Sequence, residues 1–196
     1  MELENFEKEK LTVDIVKANI YGIFSIIPIA IVYGAPFYFV WNEKFTADNF
    51  KNSLDDVSLF GNGISASLTV IGILIAGIVV HELIHGLVWS LFAKNGLKSI
   101  KFGVLIKLLT PYCHCKEPLK VKHYILGAIM PAIVLGFLPA VFAIILGNIP
   151  LLLFAVFFTM AAIGDAMIIN LIRKENKNSL VLDHPTEAGC YIFREK

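Results

Sequence analysis

Charged residues come in blocks along this chain, separated by long stretches that have none. Ala18 to Trp41 runs 24 residues without Asp, Glu, Lys or Arg, Val57 to His81 runs 25, and His123 to Gly164 runs 42. About 20 mostly apolar residues cross the hydrocarbon of a bilayer, so the first two stretches each accommodate one helix and the third accommodates two. Gly147-Asn148-Ile149-Pro150 supplies the turn between those two. In the second stretch, Gly61-Asn62-Gly63 breaks the pattern, so the helix starts near Ile64, and apolar character resumes past Glu82 as far as Ala93. The pattern therefore predicts four spans, at 18–41, 64–93, 124–147 and 150–172. Pro28, Pro36, Pro131 and Pro139 fall inside them and mark kinks, which membrane helices tolerate because neighbouring groups satisfy the freed carbonyls. Phe37, Tyr38, Phe39 and Trp41 close the first span with an aromatic cluster suited to the headgroup level.

Composition agrees with this pattern. Of 196 residues, 57% are hydrophobic and 17% charged, against about 25% charged in soluble domains. Mean hydropathy is +0.72. The net charge of +1 gives no basic field for a nucleic acid, so that class of partner is excluded and the lipid bilayer takes its place. Three cysteines cannot make a fully paired disulfide framework, and the length fits a single integral membrane domain over 1–196. The first seventeen residues hold five acids and lack the basic opening and small-residue cleavage site of a signal peptide, so the first span is expected to be a retained anchor.

Orientation follows from Lys and Arg, which are kept on the cytoplasmic side. The N-terminal tail, 1–17, carries three, the segment between spans two and three carries seven, and the C-terminal tail, 173–196, carries five. The connection between spans one and two has only Lys44 and Lys51, among four acids, and the last turn has none. Four spans with both termini cytoplasmic put every basic segment on one side. The expected location is the cell membrane, with several passes.

An ionisable residue in a span is a functional hypothesis by default, because a charge at mid-bilayer costs about 2.5–3.5 kcal/mol. Within the four spans the acids are Glu82 and Asp165 and the histidines are His81 and His85. Three of the four form His81-Glu82-Leu83-Ile84-His85. On a helix the two imidazoles project from one face and can bind one cation, and Glu82 can reach a water on it, the HExxH arrangement of zinc metalloproteases. Zn²⁺ needs a third protein ligand and an open position for water. At 1.5 Å per residue His85 lies about 13 Å in from Lys94, and Asp165 about 12 Å in from Arg173. The levels agree and spans two and four run in the same direction, so Asp165 is the expected third ligand and Glu82 the expected catalytic base.

Between spans two and three, Ser99-Ile100-Lys101-Phe102 and Pro111-Tyr112-Cys113-His114-Cys115-Lys116 alternate polar with apolar, which predicts a short cytoplasmic β-hairpin. Such a hairpin can either offer an edge to an extended substrate or simply join two spans. Cys113, His114 and Cys115 have the wrong spacing for a second metal site. His123 and His184 read as interfacial or solvated, and Cys190 has no evident partner. The expected fold is thus an all-α membrane protein of four transmembrane helices with one hairpin.

The HExxH in a membrane helix, the basic strand-forming segment after it and Gly164-Asp165 in a later helix resemble the site-2 protease clan of intramembrane zinc metalloproteases. More narrowly, His81 to Gly86, Pro111 to Cys115, Glu117-Pro118-Leu119, Pro131, Gly164-Asp165, Asp183-His184-Pro185 and Gly189 resemble a "putative zincin peptidase" family of small bacterial membrane proteins. The resemblance implies a zinc-dependent endopeptidase acting on a membrane protein or peptide, within or near the bilayer. Two other classes stay open. One is a metal sensor or carrier without hydrolytic activity, using His81, His85 and Asp165; the other is an inactive, regulatory relative. A carrier lines its path with ionisable groups at several depths, whereas these cluster at one level.

Overall fold

The computed structural model describes residues 6–56, 64–105 and 110–195. Its helices follow the uncharged stretches. α1 (Ile15–Val40), α3 (Ile64–Ser90) and a continuous run Val121–Leu146 are each long and apolar enough to cross a membrane. That run consists of α4 (Val121–Pro131), a π-helical segment (Ala132–Phe137) and α5 (Leu138–Leu146). α6 (Ile149–Ala161) and α7 (Ile163–Ile172) make a fourth crossing if the pair is one span. Three to four apolar helices are thus compatible with a multi-pass membrane protein. The predicted boundaries lie within three residues of these. Gly61-Asn62-Gly63 lies outside the described residues. At the turn after α5, Gly147 takes a left-handed φ of 63°, and the Asn148 side chain accepts from the Leu151 amide at 2.9 Å. Pro28 and Pro36 sit inside an uninterrupted α1.

Three features depart from the expected pattern. α2 (Ala47–Asp56), between the first two spans, was not anticipated: its sequence, ADNFKNSLDD, holds only Phe50 and Leu54 as large apolar positions, too few for a periodic signal. The last span is broken at Ala162 rather than straight. The all-α expectation is also incomplete. The hairpin is present as β2 (Ile100–Leu105) and β3 (Thr110–Cys115), with Ile100 opposite Cys115 and Phe102 opposite Cys113. In addition, the supposed tails form most of a second, four-stranded antiparallel sheet. Its order is β1 (Phe6–Thr12), β6 (Gly189–Glu195), β5 (Leu180–Asp183), β4 (Leu119–Lys120). The runs Leu180-Val181-Leu182 and Tyr191-Ile192-Phe193 drive it. These are apolar, β-prone triplets, and Val181 and Ile192 are fully buried and opposite one another. Charges flanking them masked the triplets as solvated tail.

The chain divides into two compact units. One, Gly22–Val80 with Ala132–Ala161, has a core of Phe37, Ala143, Ile149 and Leu152, against which Tyr33, Trp41 and Phe50 pack. The Trp41 indole donates to the Ile144 carbonyl at 2.8 Å, and Lys44 donates to the Gly147 carbonyl at 3.1 Å. The other, Met1–Tyr21, His81–Pro131 and Ala162–Lys196, contains both sheets. Its core gathers Trp89, Cys115, Leu119, Val121, Tyr124, Ile172, Val181, Cys190 and Ile192.

Candidate metal centre

The site lies in the unit with the sheets. α3 brings His81 and His85 to one face, four residues apart, and buries them to 8% and 3% exposure. α7 places Asp165 in its first turn, three residues past the break at Ala162. His81 Nε2 lies 3.1 Å from Asp165 Oδ2, His85 Nε2 lies 3.4 Å from Asp165 Oδ1, and the two Nε2 atoms are 3.2 Å apart. Among the described residues this is the group able to hold a metal ion, its ligand atoms all within 4.8 Å of one another.

The donor set fits zinc. Ligand atoms about 2.0–2.1 Å from a tetrahedral ion are about 3.3 Å from each other, which is the scale of the separation between the two imidazole nitrogens and of the approach of each to an Asp165 oxygen. Two neutral imidazoles and one carboxylate also leave a fourth position open, as in hydrolytic zinc sites. His85 is held in the required tautomer. Its Nδ1 donates to the Gly127 carbonyl at 2.9 Å, so in the neutral ring Nε2 carries the lone pair. The Trp89 ring stacks on His85 with centroids 5.1 Å apart and planes 16° apart, and its indole nitrogen donates to the Tyr124 carbonyl at 3.0 Å.

The hairpin stands at the site. Gly86, directly after His85, has no room for a side chain, because a Cβ there would collide with the Phe102 ring of β2. The Cys113 backbone amide of β3 is turned toward the half-buried Glu82 carboxylate. Burial, with Glu82 nearby, pushes the Cys113 thiol far above its usual range. Burial also raises Cys115 to about 11, and burial together with Asp183 raises Cys190 to about 12. Burial thus favours the neutral form of all three thiols, which suits packing. Alternation along β3 puts His114 on the face opposite Cys113 and Cys115, so these three do not converge.

Asp183 is the residue that sequence reasoning left without a role. It is 8% exposed, and it accepts from the Cys115 amide at 2.7 Å and from the Tyr124 hydroxyl. It thereby ties β3 to α4 and β5. Burial pushes its carboxyl up. Its signal was the Asp-His-Pro motif, whose His184 is not solvated as expected: the side chain is 7% exposed and its Nδ1 accepts from the Glu187 amide at 2.9 Å, shaping the β5–β6 turn. Gly127 gave no signal of its own. His123 stacks on Phe92, centroids 4.0 Å apart.

No curated protein and no solved structure matches the chain. Residues 74–180 match the family described as "putative zincin peptidase", a name that implies zinc and peptide hydrolysis. The matched stretch takes in His81, Glu82, His85, the hairpin, Gly127, Pro131 and Asp165, and it covers more than half of the sequence. The chain therefore belongs to that peptidase family.

Proposed function

We propose that this protein is a zinc-dependent membrane endopeptidase, with His81, His85 and Asp165 as zinc ligands and Glu82 as the general base. The observation that carries the reading is the convergence of two buried imidazole nitrogens, 3.2 Å apart, on the partly buried Asp165 carboxylate, whose two oxygens lie 3.1 and 3.4 Å from them, beside a second carboxylate one residue away from the first ligand. Zinc held there supplies a water with its pKa lowered to about 7 and polarises the scissile carbonyl. Glu82 would serve as the base at the open position, holding the proton of the attacking water on a carboxylate oxygen and returning it to the leaving amine. His85 keeps its own proton on Nδ1 throughout, since the Gly127 carbonyl holds it there. Asp165 offsets the positive charge of the site in a low-dielectric setting. The hairpin, with the Cys113 amide facing Glu82, is the place for an extended peptide to add as a strand. A transmembrane substrate has to unwind locally to do so, which favours helix-breaking residues near the cut. The Lys and Arg distribution supports a cytoplasmic site for both termini and for the hairpin, and a water path from that side.

The test is zinc content together with cleavage of a quenched-fluorescent peptide library by the detergent-solubilised full chain. Glu82→Gln is expected to retain zinc and to lose about 10²–10⁴-fold in rate, the usual worth of a general base. Undiminished cleavage by that variant would remove Glu82 from the mechanism.

A further inference from the structure

In an α-helix the N–H of each residue bonds the carbonyl four residues earlier, and proline has no N–H to give. α4 ends on Pro131, fully buried, and the carbonyl four residues before it is that of Gly127. This is the oxygen that accepts from His85 Nδ1 at 2.9 Å. A carbonyl released within a span has to find a partner inside the protein, because lipid offers none. Here the partner is a residue of the metal centre. The same turn of α4 also holds the ring face: a Cβ at Gly127 would collide with the Trp89 indole, and Trp89 is stacked on His85. Gly127 therefore acts twice, through its bare carbonyl and through its missing side chain.

We infer that Pro131 is a positioning residue for the metal centre: by withholding an amide from α4 it reserves the Gly127 carbonyl for His85, fixing the tautomer whose Nε2 lone pair faces His81 and Asp165. This rests on the reading of His81, His85 and Asp165 as zinc ligands. Any other residue at position 131 brings an N–H to the same oxygen, aligned along the helix axis. The bond to His85 then has a competitor, and His85 can place its proton on Nε2, where it blocks the metal. Losing an outer partner of a ligating histidine lowers metal affinity by about 10–100-fold.

The experiment uses the full chain in detergent. Zinc affinity is read by competition with a chromophoric chelator, and the His85 tautomer from ring ¹⁵N spectra of the metal-free protein at alkaline pH, where the ring is neutral. Pro131→Ala is expected to bind zinc about 10–100-fold more weakly and to show a second His85 tautomer. Replacing Pro131 with lactic acid, which has neither the ring nor an N–H, is expected to restore both properties. Pro139→Ala, removing another proline of the same apolar run, is the control and is expected to change neither. Equal losses in the alanine and lactic acid variants would assign the effect to the proline ring and overturn the proposal. Unchanged affinity in Pro131→Ala would do the same, as would a neutral wild-type His85 whose one proton sits on Nε2 rather than Nδ1. The wild-type spectrum and the lactic acid variant decide the matter if Pro131→Ala fails to fold. A wild type that binds no zinc removes the zinc reading alone, and the tautomer comparison between wild type and variants still judges Pro131.

Discussion

The two units differ in what they bury. In the unit formed by Gly22–Val80 and Ala132–Ala161, the buried cluster is apolar, built on Phe37, Ala143, Ile149 and Leu152, with polar contacts at its margin such as Trp41 with the Ile144 carbonyl and Tyr33 with Thr159 at 3.1 Å. Shape does the rest: the Phe158 ring, fully buried, fills the space above Gly77, where a Cβ would collide with it. In the other unit His81, His85, Asp165, Tyr124 and Asp183 share partners, so that each polar atom depends on another. Without a hydrophobic force between helices in lipid, a unit without chemistry needs close packing alone. A unit with chemistry has to bury polar groups, and each must then be satisfied. Substitutions are therefore expected to act by leaving voids in the first unit and by orphaning partners in the second.

The largest effect is expected at Asp165. Asp165→Asn keeps the volume but removes the charged ligand, and is expected to lower zinc affinity by more than about 100-fold, beyond the loss of an outer partner. Metal analysis of the purified variant measures this. Phe158→Ala is the matching probe of the other unit. It leaves a void where Gly77 and Phe154 now meet the ring, and is expected to destabilise by about 3–5 kcal/mol. Zinc affinity of the folded fraction should stay at the wild-type value. A large loss of zinc affinity in Phe158→Ala would mean that the distinction between the units is wrong.

The same distinction governs what was legible in the sequence. The long apolar helices were legible from the uncharged stretches, and the borders from Ile64 and near Gly147 followed from breakers. The grouping of His81 with His85 was legible because helical spacing alone puts them on one face, and the approach of Asp165 to them because counting residues in from the nearest basic positions, Lys94 and Arg173, gave similar depths. Contacts that depend on the tail sheet were not. Tyr124 and Asp183 are 59 residues apart, and they meet only because β5 pairs with both β4 and β6. The Gly127 carbonyl was invisible for another reason: every residue has a carbonyl, so only Pro131, four positions on, marks this one as free. The break at Ala162 carries no proline, and no glycine precedes it within the helix.

A smaller effect is expected at Asp183. Asp183→Ala removes the acceptor of two buried donors, the Cys115 amide and the Tyr124 hydroxyl. Each orphaned donor costs about 1–3 kcal/mol, and the hydroxyl can rotate toward another acceptor, so about 2–3 kcal/mol in total is expected. Asp183→Asn should cost less, since the amide oxygen still accepts from Cys115 and no charge is buried. The pH dependence has a definite sign. Because burial raises the Asp183 carboxyl in the folded state, the folded protein holds that proton more tightly than the unfolded chain. Its contribution is full below the ordinary aspartate range and declines as pH rises through the raised value. Wild type and Asp183→Asn should therefore converge in stability at neutral pH, which urea denaturation in mild detergent can measure.

The smallest effect is expected at the rim of the tail sheet. Arg194, on β6, donates to Glu175 at 2.7 and 2.9 Å and to Glu9 of β1 at 2.6 Å. Its hydrogen bonds hold the Glu175 carboxyl below the usual carboxylate range. The stability gained from that shift is present above the ordinary glutamate value and is lost as pH falls through the lower folded value. Arg194 is about one-third exposed, so solvent and salt screen these pairs, and Arg194→Ala is expected to cost less than about 1 kcal/mol at pH 7. The difference from wild type should shrink in 1 M salt and vanish in acid, while zinc affinity is unaltered. Orphaning here is cheap because water takes over the carboxylates that Arg194 abandons. The same geometry around Asp183 is costly because no water replaces the partner, so burial, more than the number of shared partners, sets the size of the loss.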